Sequence, residues 1–392
     1  MIWNFLEGTI FMEQFVYELF GNLTNLDIKM VIMWVIGGIL IYLAIAKEME
    51  PSLLLPMGFG AILVNLPMSG VITQIINGEE EVGAFDVLFK AGIANELFPL
   101  ILFIGIGAMI DFGPLLSNPK LMLFGAAAQF GIFFTMSMAS LFGFNMQDAA
   151  SIGIIGAADG PTAIFAANYF NSNYKGAIFV AAYSYMALVP IVQPPVIKAL
   201  TTRHERLIRM HYEPHSVSKT TKILFPIIIS IVVGLVAPRS VSLIGFLMFG
   251  NLIRECGVLN SLSESAQNEL ANLVTIFLGI TVATQMAADK FLKKETLMIM
   301  ALGLIAFVFD TAGGVVFAKI VNIFLPEGKK LNPMIGATGI SAFPMSARVV
   351  HKMGLEEDNQ NFLLMQTIGV NVSGQICSVI AGGIVMNLVA RG

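Results

Sequence analysis

Ten apolar segments constrain the fold of this chain more than any other feature of its sequence. They occupy residues 30–46, 51–65, 97–110, 121–143, 177–200, 223–236, 241–253, 273–288, 296–325 and 362–390. A helix of about 20 apolar residues can cross a bilayer, because it satisfies its own backbone hydrogen bonds. The whole chain is 56% hydrophobic and 12% charged, whereas soluble domains are about 25% charged. The pattern predicts an all-α polytopic membrane protein.

Charge and cysteine content exclude two other classes of protein. The 22 basic and 26 acidic residues give a formal net charge of −4, which provides no basic surface for nucleic acid. Cys256 and Cys377 lie far apart without a C-x-x-C pair, so neither a disulfide framework nor a structural zinc site is predicted.

Four regions follow from the distribution of apolar and charged residues. They are an N-terminal amphipathic segment (1–29), a first transmembrane repeat (30–200), a basic cytoplasmic linker (201–222) and a second transmembrane repeat (223–392). The first region has no basic stretch before its apolar residues, unlike a cleavable signal peptide. Helical spacing of its apolar residues predicts a retained surface helix. The linker carries five basic residues against two acidic ones, which favours the cytoplasmic side.

The two sets of apolar segments resemble each other. EPSLLLPMGFGAIL from Glu50 aligns with RSVSLIGFLMFGNLI from Arg239, LFIGIG with IFLGIT, and IIGAADGP with MIGATGIS. Three matches in the same order indicate a duplication. A linker that follows an odd number of crossings would give the halves opposite topology. We therefore expect two inverted-topology repeats whose broken helices meet near the bilayer midplane.

The first predicted break lies in GIIGAADGPTAIF, where Gly160 and Pro161 directly follow Asp159. Proline removes an amide donor and clashes with the preceding helical turn, so the helix should end here. A carboxylate in hydrocarbon costs at least about 2.5 kcal/mol on insertion scales. Asp159 therefore needs a cation, a proton or several hydrogen-bond donors, and a functional role is favoured over a purely structural one.

The matching segment, NPMIGATGISAFPMSARV, contains two prolines and two glycines that prevent a continuous helix. Its Asn332, Ser341 and glycine carbonyls offer neutral oxygen ligands, which suit a hard cation such as Na+. Arg348 follows in the same apolar setting. It could hold a carboxylate or a urea oxygen, or it could reach toward lipid phosphate at the membrane surface.

Other polar residues interrupt apolar stretches, and each has a functional and a structural interpretation. Tyr183 and Tyr185 could donate a proton or bind a cation, or they could pack as aromatic rings with one hydrogen bond. Asn371 could be a ligand or could bind neighbouring helices. Asp310 is a second intramembrane acid, and the sequence leaves ligand and structural roles equally open.

These residues in this order resemble the β subunit of the sodium-pumping biotin-dependent decarboxylases, a family that acts on oxaloacetate, methylmalonyl-CoA, glutaconyl-CoA or malonate. The resemblance covers nearly the whole chain and rests on GIIGAADGPTAIF, Tyr185, the 332–349 segment and Asn371. It implies that a soluble carboxyltransferase moves CO2 from an acid onto biotin. The β subunit would then decarboxylate carboxybiotin while exporting Na+ across the bacterial inner membrane.

The resemblance also implies roles for individual residues. Asp159, Asn332 and Asn371 would build one sodium site, with Gly336 among the metal-site residues. Tyr185 and Ser341 would contribute to a second sodium site and to proton delivery. We further expect their hydroxyl groups to lie close together, across the interface between the two broken-helix regions.

Biotin would arrive on another subunit. Attachment lysines of biotin carriers lie in an M-K-M context, and Lys352 lies in HKMG. Arg348 and Asn332 would lie near the incoming carboxybiotin, and the catalytic set would comprise Asp159, Tyr185, Ser341 and Arg348. The implied partners are the carboxyltransferase, a biotin carrier protein and a small single-span membrane subunit. The resemblance also implies that the chain forms a homo-oligomer, for example a trimer.

Two alternative functions fit parts of this pattern. A secondary Na+-coupled carboxylate symporter would use the same inverted repeats and broken helices without a covalent substrate. A channel or a purely structural membrane subunit would explain the spans but would leave Asp159 without a purpose.

Overall fold

The computed structural model describes residues 20–76, 78–210 and 216–390. Most of the predicted N-terminal amphipathic helix falls in residues 1–19, outside the described residues. Directly after them, a short 3-10 helix covers Gly21–Asn25.

Helices dominate the first half of the chain. They are α1 (Ile28–Ala46), α2 (Pro51–Val64), α3 (Ala84–Gly92), α4 (Leu97–Met109), α5 (Gly113–Ser117), α6 (Met122–Ala128), α7 (Phe130–Leu141), α8 (Met146–Gly153), α9 (Gly160–Tyr169) and α10 (Lys175–Leu200). Two 3-10 helices, Pro119–Leu121 and Ile154–Ala157, precede α6 and α9. Two short antiparallel strands, β1 (Gln74–Ile76) and β2 (Glu79–Glu81), form the sheet of the described residues, with Ile75 opposite Glu80.

The linker and the second half are helical as well. They contain α11 (Arg203–Arg206), α12 (Lys219–Val236), α13 (Val241–Cys256), α14 (Asn260–Ser265), α15 (Ala271–Val282), α16 (Ala288–Phe291), α17 (Lys294–Phe324), α18 (Met345–Glu357) and α19 (Leu364–Val389). A π-helical turn, Ala266–Leu270, joins α14 to α15, and 3-10 helices cover Pro238–Ser240, Ala283–Met286 and Pro333–Gly339.

The length and apolar composition of the helices confirm the prediction of an all-α polytopic membrane protein. Among the described residues, seven helical segments are long and apolar enough to cross a bilayer, and α3 with α4 forms a pair bent by 63°. Each of the ten apolar segments in the sequence coincides largely with helix. The outer faces carry exposed apolar side chains such as Leu123, Ile231 and Val316, as a lipid-facing surface requires.

Ion pairs define one end of the helical assembly, here called the linker end. Lys222 lies 3.1 Å from Asp111 and 3.7 Å from Glu255, and Arg206 lies 2.6 Å from Glu357. The opposite end, here called the far end, is held by amide hydrogen bonds. There Asn65 joins α2 to the backbone of Met286 and Ala288, with distances of 2.8 and 2.7 Å.

The first re-entrant hairpin comprises α8, the 3-10 turn Ile154–Ala157 and α9. Its two ends meet at the far end, because Asp148 at the start of α8 accepts hydrogen bonds from Ser172 and Asn173 beyond α9. Helices of 8 and 10 residues are too short to cross a bilayer at 1.5 Å per residue. The segment therefore enters and leaves at the same end, with Asp159 near its tip.

The second re-entrant hairpin comprises the 3-10 segment Pro333–Gly339 and α18, and it enters from the linker end. Asn332 at its base bonds to the carbonyls of Arg206 and Ile208, and Glu357 at its other end pairs with Arg206. In each half, several helices precede the re-entrant hairpin, and one long apolar helix, α10 or α19, follows it. The duplication with inverted topology stays a prediction.

Candidate functional site

The tips of the two re-entrant hairpins touch inside the protein. The backbone amide of Ser341 donates to the carbonyl of Ala157 over 2.9 Å. The first tip forms because Ala158 adopts a left-handed conformation, with φ of 51°, and Asp159 then caps α9. Prolines in both segments remove amide donors, so neither tip continues as a regular helix. The predicted breaks therefore lie where backbone and side-chain oxygens converge.

Asp159 is buried at this junction with three hydrogen-bond donors. Its Oδ1 accepts from the Thr162 amide at 3.3 Å, and its Oδ2 accepts from the Thr162 hydroxyl at 2.7 Å. The Ser378 hydroxyl of α19 also donates to Oδ2, at 3.0 Å. The side chain of Ser341 donates to Ser378 over 2.5 Å. A continuous hydroxyl chain therefore runs from the second tip to the Asp159 carboxylate.

A polar stripe on α19 faces both tips. Asn371, Gln375 and Ser378 are spaced by four and three residues, which places them on one face of the helix. Asn371 donates through Nδ2 to the carbonyls of Thr338 and Ile340, at 3.1 and 2.8 Å. Gln375 donates through Nε2 to the Ser341 carbonyl. These bonds fix the orientation of both amide groups.

Two buried amide oxygens at the junction have no hydrogen-bond donor among the described residues. They are Oδ1 of Asn371 and Oε1 of Gln375, and both side chains are 3% exposed or less. A buried polar atom without a partner costs about 1 to 3 kcal/mol. A carboxylate beside neutral amide and hydroxyl oxygens suits a hard cation. In the described ranges, no three His, Cys, Asp or Glu are grouped as metal ligands.

The structure brings Asp159, Ser341 and Asn371 together but does not bring Asn332 to them. Both donors of Asn332 bind linker carbonyls, at 2.8 and 3.0 Å, and its Oδ1 accepts from the Met334 amide. This amide therefore holds the base of the second hairpin.

Gly336 lies against α17 rather than at the tips. A Cβ on Gly336 would stand 2.0 Å from the carbonyl oxygen of Gly314, and a Cβ on Gly314 would stand 2.0 Å from that of Gly336. The two glycines thus permit close contact between the second hairpin and α17, as small residues do in membrane helix packing.

The hydroxyl groups of Tyr185 and Ser341 do not meet in this structure. Tyr185 donates to the carbonyl of Met300 in α17, whereas Ser341 donates to Ser378 and has the Gly374 carbonyl as a more distant acceptor, at 3.1 Å. Tyr183 instead lies beside the first tip, because its ring atoms come within 2.5 Å of the position of a Gly160 Cβ. Its hydroxyl has no partner in the described part of the chain.

Arg348 is exposed on α18, seven residues after Ser341. Burial raises the pKa of Glu50, which lies between α1 and α2, and the positive charge of Arg348 opposes that rise. Arg348 is therefore close enough to Glu50 for its charge to act on that carboxyl group.

Thr162 and Ser378 are site residues that the sequence interpretation missed. Thr162 is three residues after a capping aspartate, where N-cap bonding directs its amide toward the carboxylate. Ser378 lies seven residues after Asn371, on the same helical face. Both spacings are visible in the sequence and could have identified these residues.

Residues 29–389 match the family described as the Na+-transporting oxaloacetate decarboxylase β subunit. The chain is 44% identical to the oxaloacetate decarboxylase β chain of Klebsiella pneumoniae, with 94% of this chain and 97% of that protein covered. It is 47% identical to the methylmalonyl-CoA decarboxylase β subunit of Propionigenium modestum, with 93% and 96% covered. The corresponding subunit of Veillonella parvula is 48% identical, with 92% and 93% covered.

Proposed function

The chain belongs to the family of Na+-transporting oxaloacetate decarboxylase β subunits, and from this premise we propose that it decarboxylates carboxybiotin and couples this reaction to Na+ export. The relatives are named as decarboxylase subunits, which favours this function over a secondary carboxylate symporter. Relatives that act on oxaloacetate and on methylmalonyl-CoA are almost equally similar, at 44% and 47% identity. The choice of acid is therefore assigned to the carboxyltransferase subunit.

The meeting of the two hairpin tips is the observation that carries the proposal. Asp159 supplies a charge, and Ser341, Asn371 and Gln375 supply neutral oxygens, two of which have no donor in the described residues. Na+ is the substrate that these ligands suit. Its binding would satisfy the unpartnered amide oxygens and balance the buried charge of Asp159.

The opposite entry of the two hairpins suggests how Na+ reaches and leaves the site. The first hairpin returns to the far end through Asp148, and the second is fixed at the linker end through Arg206. If the linker is cytoplasmic, as its charge favours, movement of each hairpin would open the site to a different side. Such alternating access is typical of inverted repeats around a midplane site.

Decarboxylation of N-carboxybiotin breaks the bond between the ureido nitrogen and the carboxyl carbon, releases CO2 and places a proton on that nitrogen. We assign the donation of this proton to Tyr185, which must first release its hydrogen bond to the Met300 carbonyl. Solvent protons would then restore the phenol. Ser341 is assigned to Na+ binding, because its hydroxyl already belongs to the chain that ends on Asp159.

Arg348 is assigned to the carboxylate of incoming carboxybiotin, since an exposed guanidinium can bind a carboxylate through two parallel hydrogen bonds. Glu50 is its neighbouring acid and would compete for it until substrate arrives. The roles of Asn332 and Gly336 at the metal site stay proposals that rest on the family resemblance. In this conformation they hold the second hairpin at its base and against α17, so their influence on Na+ would act through the position of the tip.

The chain would act within a larger complex in the bacterial inner membrane. The β-chain names of its relatives indicate a multi-subunit decarboxylase. We propose a carboxyltransferase, a biotin carrier protein and a small single-span membrane subunit as partners, with more than one copy of the present chain in the assembly.

The direct test of this function is CO2 release from free carboxybiotin by the purified complex. We expect release in Na+ buffer and little release when K+ replaces Na+ at equal ionic strength. Equal turnover in both buffers would overturn the coupling. A complex that takes up Na+ with a carboxylate but never releases CO2 would instead indicate the symporter.

A further inference from the structure

Asp310 is a buried acid that the proposed pump cycle does not use. It lies in the middle of α17, it is 0% exposed, and neither of its carboxyl oxygens has a hydrogen-bond partner in residues 20–76, 78–210 and 216–390. The amides of Gly131 and Ile132, at the start of α7, lie beside it without the geometry of a normal hydrogen bond. No charged side chain of the described residues forms an ion pair with it.

Two other buried acids are surrounded by hydrogen-bond donors. Asp148 receives hydrogen bonds from Ser172, Asn145 and Asn173, at 2.6 to 3.1 Å. Asp159 receives three. An isolated carboxylate is too costly in hydrocarbon to stay ionised without such donors. The contrast indicates that Asp310 carries a proton.

The surroundings of Asp310 provide an acceptor for that proton. Its Oδ1 lies 2.4 Å from the position of a Gly131 Cβ, and the carbonyl oxygen of Ala306 lies 2.5 Å from the same point. A protonated carboxyl group can donate to a carbonyl one turn earlier in its own helix, as serine and threonine do. A neutral carboxyl group could therefore donate to this carbonyl, whereas a carboxylate could not.

Asp310 also touches the tip of the first re-entrant hairpin. Its Oδ2 lies 2.6 Å from the position of a Gly156 Cβ, and Gly156 precedes Asp159 by three residues. The same tip thus contacts Asp310 of α17 on one side and Ser378 of α19 on the other. The titratable groups on the elements packed here include Asp159, three residues after Gly156, and Tyr185, whose ring lies against Gly303 two turns earlier in α17.

We propose that Asp310 is a proton-binding site, neutral in this conformation, which exchanges its proton when the tip of the first re-entrant hairpin moves. Movement of Gly156 would admit water to the carboxyl group. The O–H bond would then break, leaving a carboxylate on Asp310 and passing H+ to water. The proton site stands on burial and contacts alone, whereas its link to Na+ rests on the proposed function.

Infrared spectroscopy of the full chain in lipid nanodiscs tests the site. At neutral pH we expect the C=O band of an un-ionised carboxylic acid, and isotope-labelled aspartate should shift it. Asp310→Asn should remove this band, whereas Asp148→Asn, which changes a buried acid with a full set of donors, should leave it. A wild-type protein without a label-sensitive band would overturn the proposal even if the variants fail to fold, and so would a band that survives Asp310→Asn.

Hydrogen–deuterium exchange of the Asp310 carboxylic acid, followed by the shift of the same band in D2O, tests the link to the hairpin tip. We expect the exchange rate to rise several-fold when K+ replaces Na+, because the tip is then free of its cation. An unchanged rate would overturn the link to tip movement. This outcome is distinguishable from failure of the proposed function, because Na+-dependent CO2 release is measured separately on the complex.

Discussion

The Ser378 hydroxyl donates to Oδ2 of Asp159 over 3.0 Å, across 219 positions of the sequence. This bond joins α19 to the tip of the first re-entrant hairpin. The same hydroxyl accepts from Ser341 of the second hairpin. One serine therefore connects both broken segments, and its position makes the proposed Na+ site dependent on the packing of three elements.

Replacement of Ser378 by alanine should weaken Na+ binding without unfolding the protein. It removes one donor to a charged group, which is worth about 1.5 to 3 kcal/mol, so we expect at least a tenfold higher Na+ concentration for half-maximal decarboxylation. Ser373→Ala is the matched control. Its hydroxyl lies on the same helix, and its partners in the described part of the chain are the backbone carbonyls of Leu121 and Val370. An equal change in Na+ dependence in both variants would contradict the role of Ser378.

Asn371 offers a sharper comparison, because Asn251 has the same bonding pattern at the linker end. Each donates to two carbonyls through Nδ2 and has an Oδ1 without a donor in the part of the chain described. We expect Asn371→Ala to lose Na+ activation and Asn251→Ala to keep it, while both lose thermal stability. Isothermal titration with Na+ and a melting curve separate the two effects. Normal Na+ affinity in Asn371→Ala would remove it from the site.

Removal of the Tyr185 hydroxyl should separate Na+ binding from decarboxylation. Tyr185→Phe retains the ring but cannot donate a proton, so we expect Na+ binding within about twofold of wild type, and loss of most decarboxylation. Tyr183→Phe is the control, because its hydroxyl bonds to nothing in the described residues. Single-turnover CO2 release and Na+ binding should be measured on both. A Tyr185→Phe protein with a normal rate would exclude this phenol as an obligatory donor.

Gly336 should tolerate no side chain. A Cβ there meets the Gly314 carbonyl at 2.0 Å, and backbone must shift to accept it, so Gly336→Ala should lose about 1 to 3 kcal/mol of stability. Gly245→Ala provides the control, since its Cβ would meet no atom within 4 Å. Alanine in that helix should be neutral or slightly stabilising. Equal melting temperatures for wild type and Gly336→Ala would contradict the close contact with α17.

The sequence predicted the helices and the breaks, because hydrophobic length and proline act locally. Asp159 followed by Gly160 and Pro161 indicated a break in the helix, and the structure has the 3-10 turn Ile154–Ala157 before this point and α9, capped by Asp159, after it. The partners of these residues depend on packing between segments hundreds of residues apart. Asn332 is an example. Its amide oxygen suggested an ion ligand, but the fold places carbonyl groups of the linker against its side chain. Local spacing alone could not reveal that contact.

The central claim is that Asp159 binds the Na+ whose transport is coupled to decarboxylation. The most direct measurement is simultaneous CO2 release and radiolabelled Na+ transport by the complex in sealed vesicles, with wild type and Asp159→Asn. Asparagine keeps the volume of the side chain but removes its charge. The account predicts a folded, assembled variant in which both Na+-stimulated CO2 release and Na+ transport are abolished. Wild-type Na+ stimulation and transport in Asp159→Asn would contradict it.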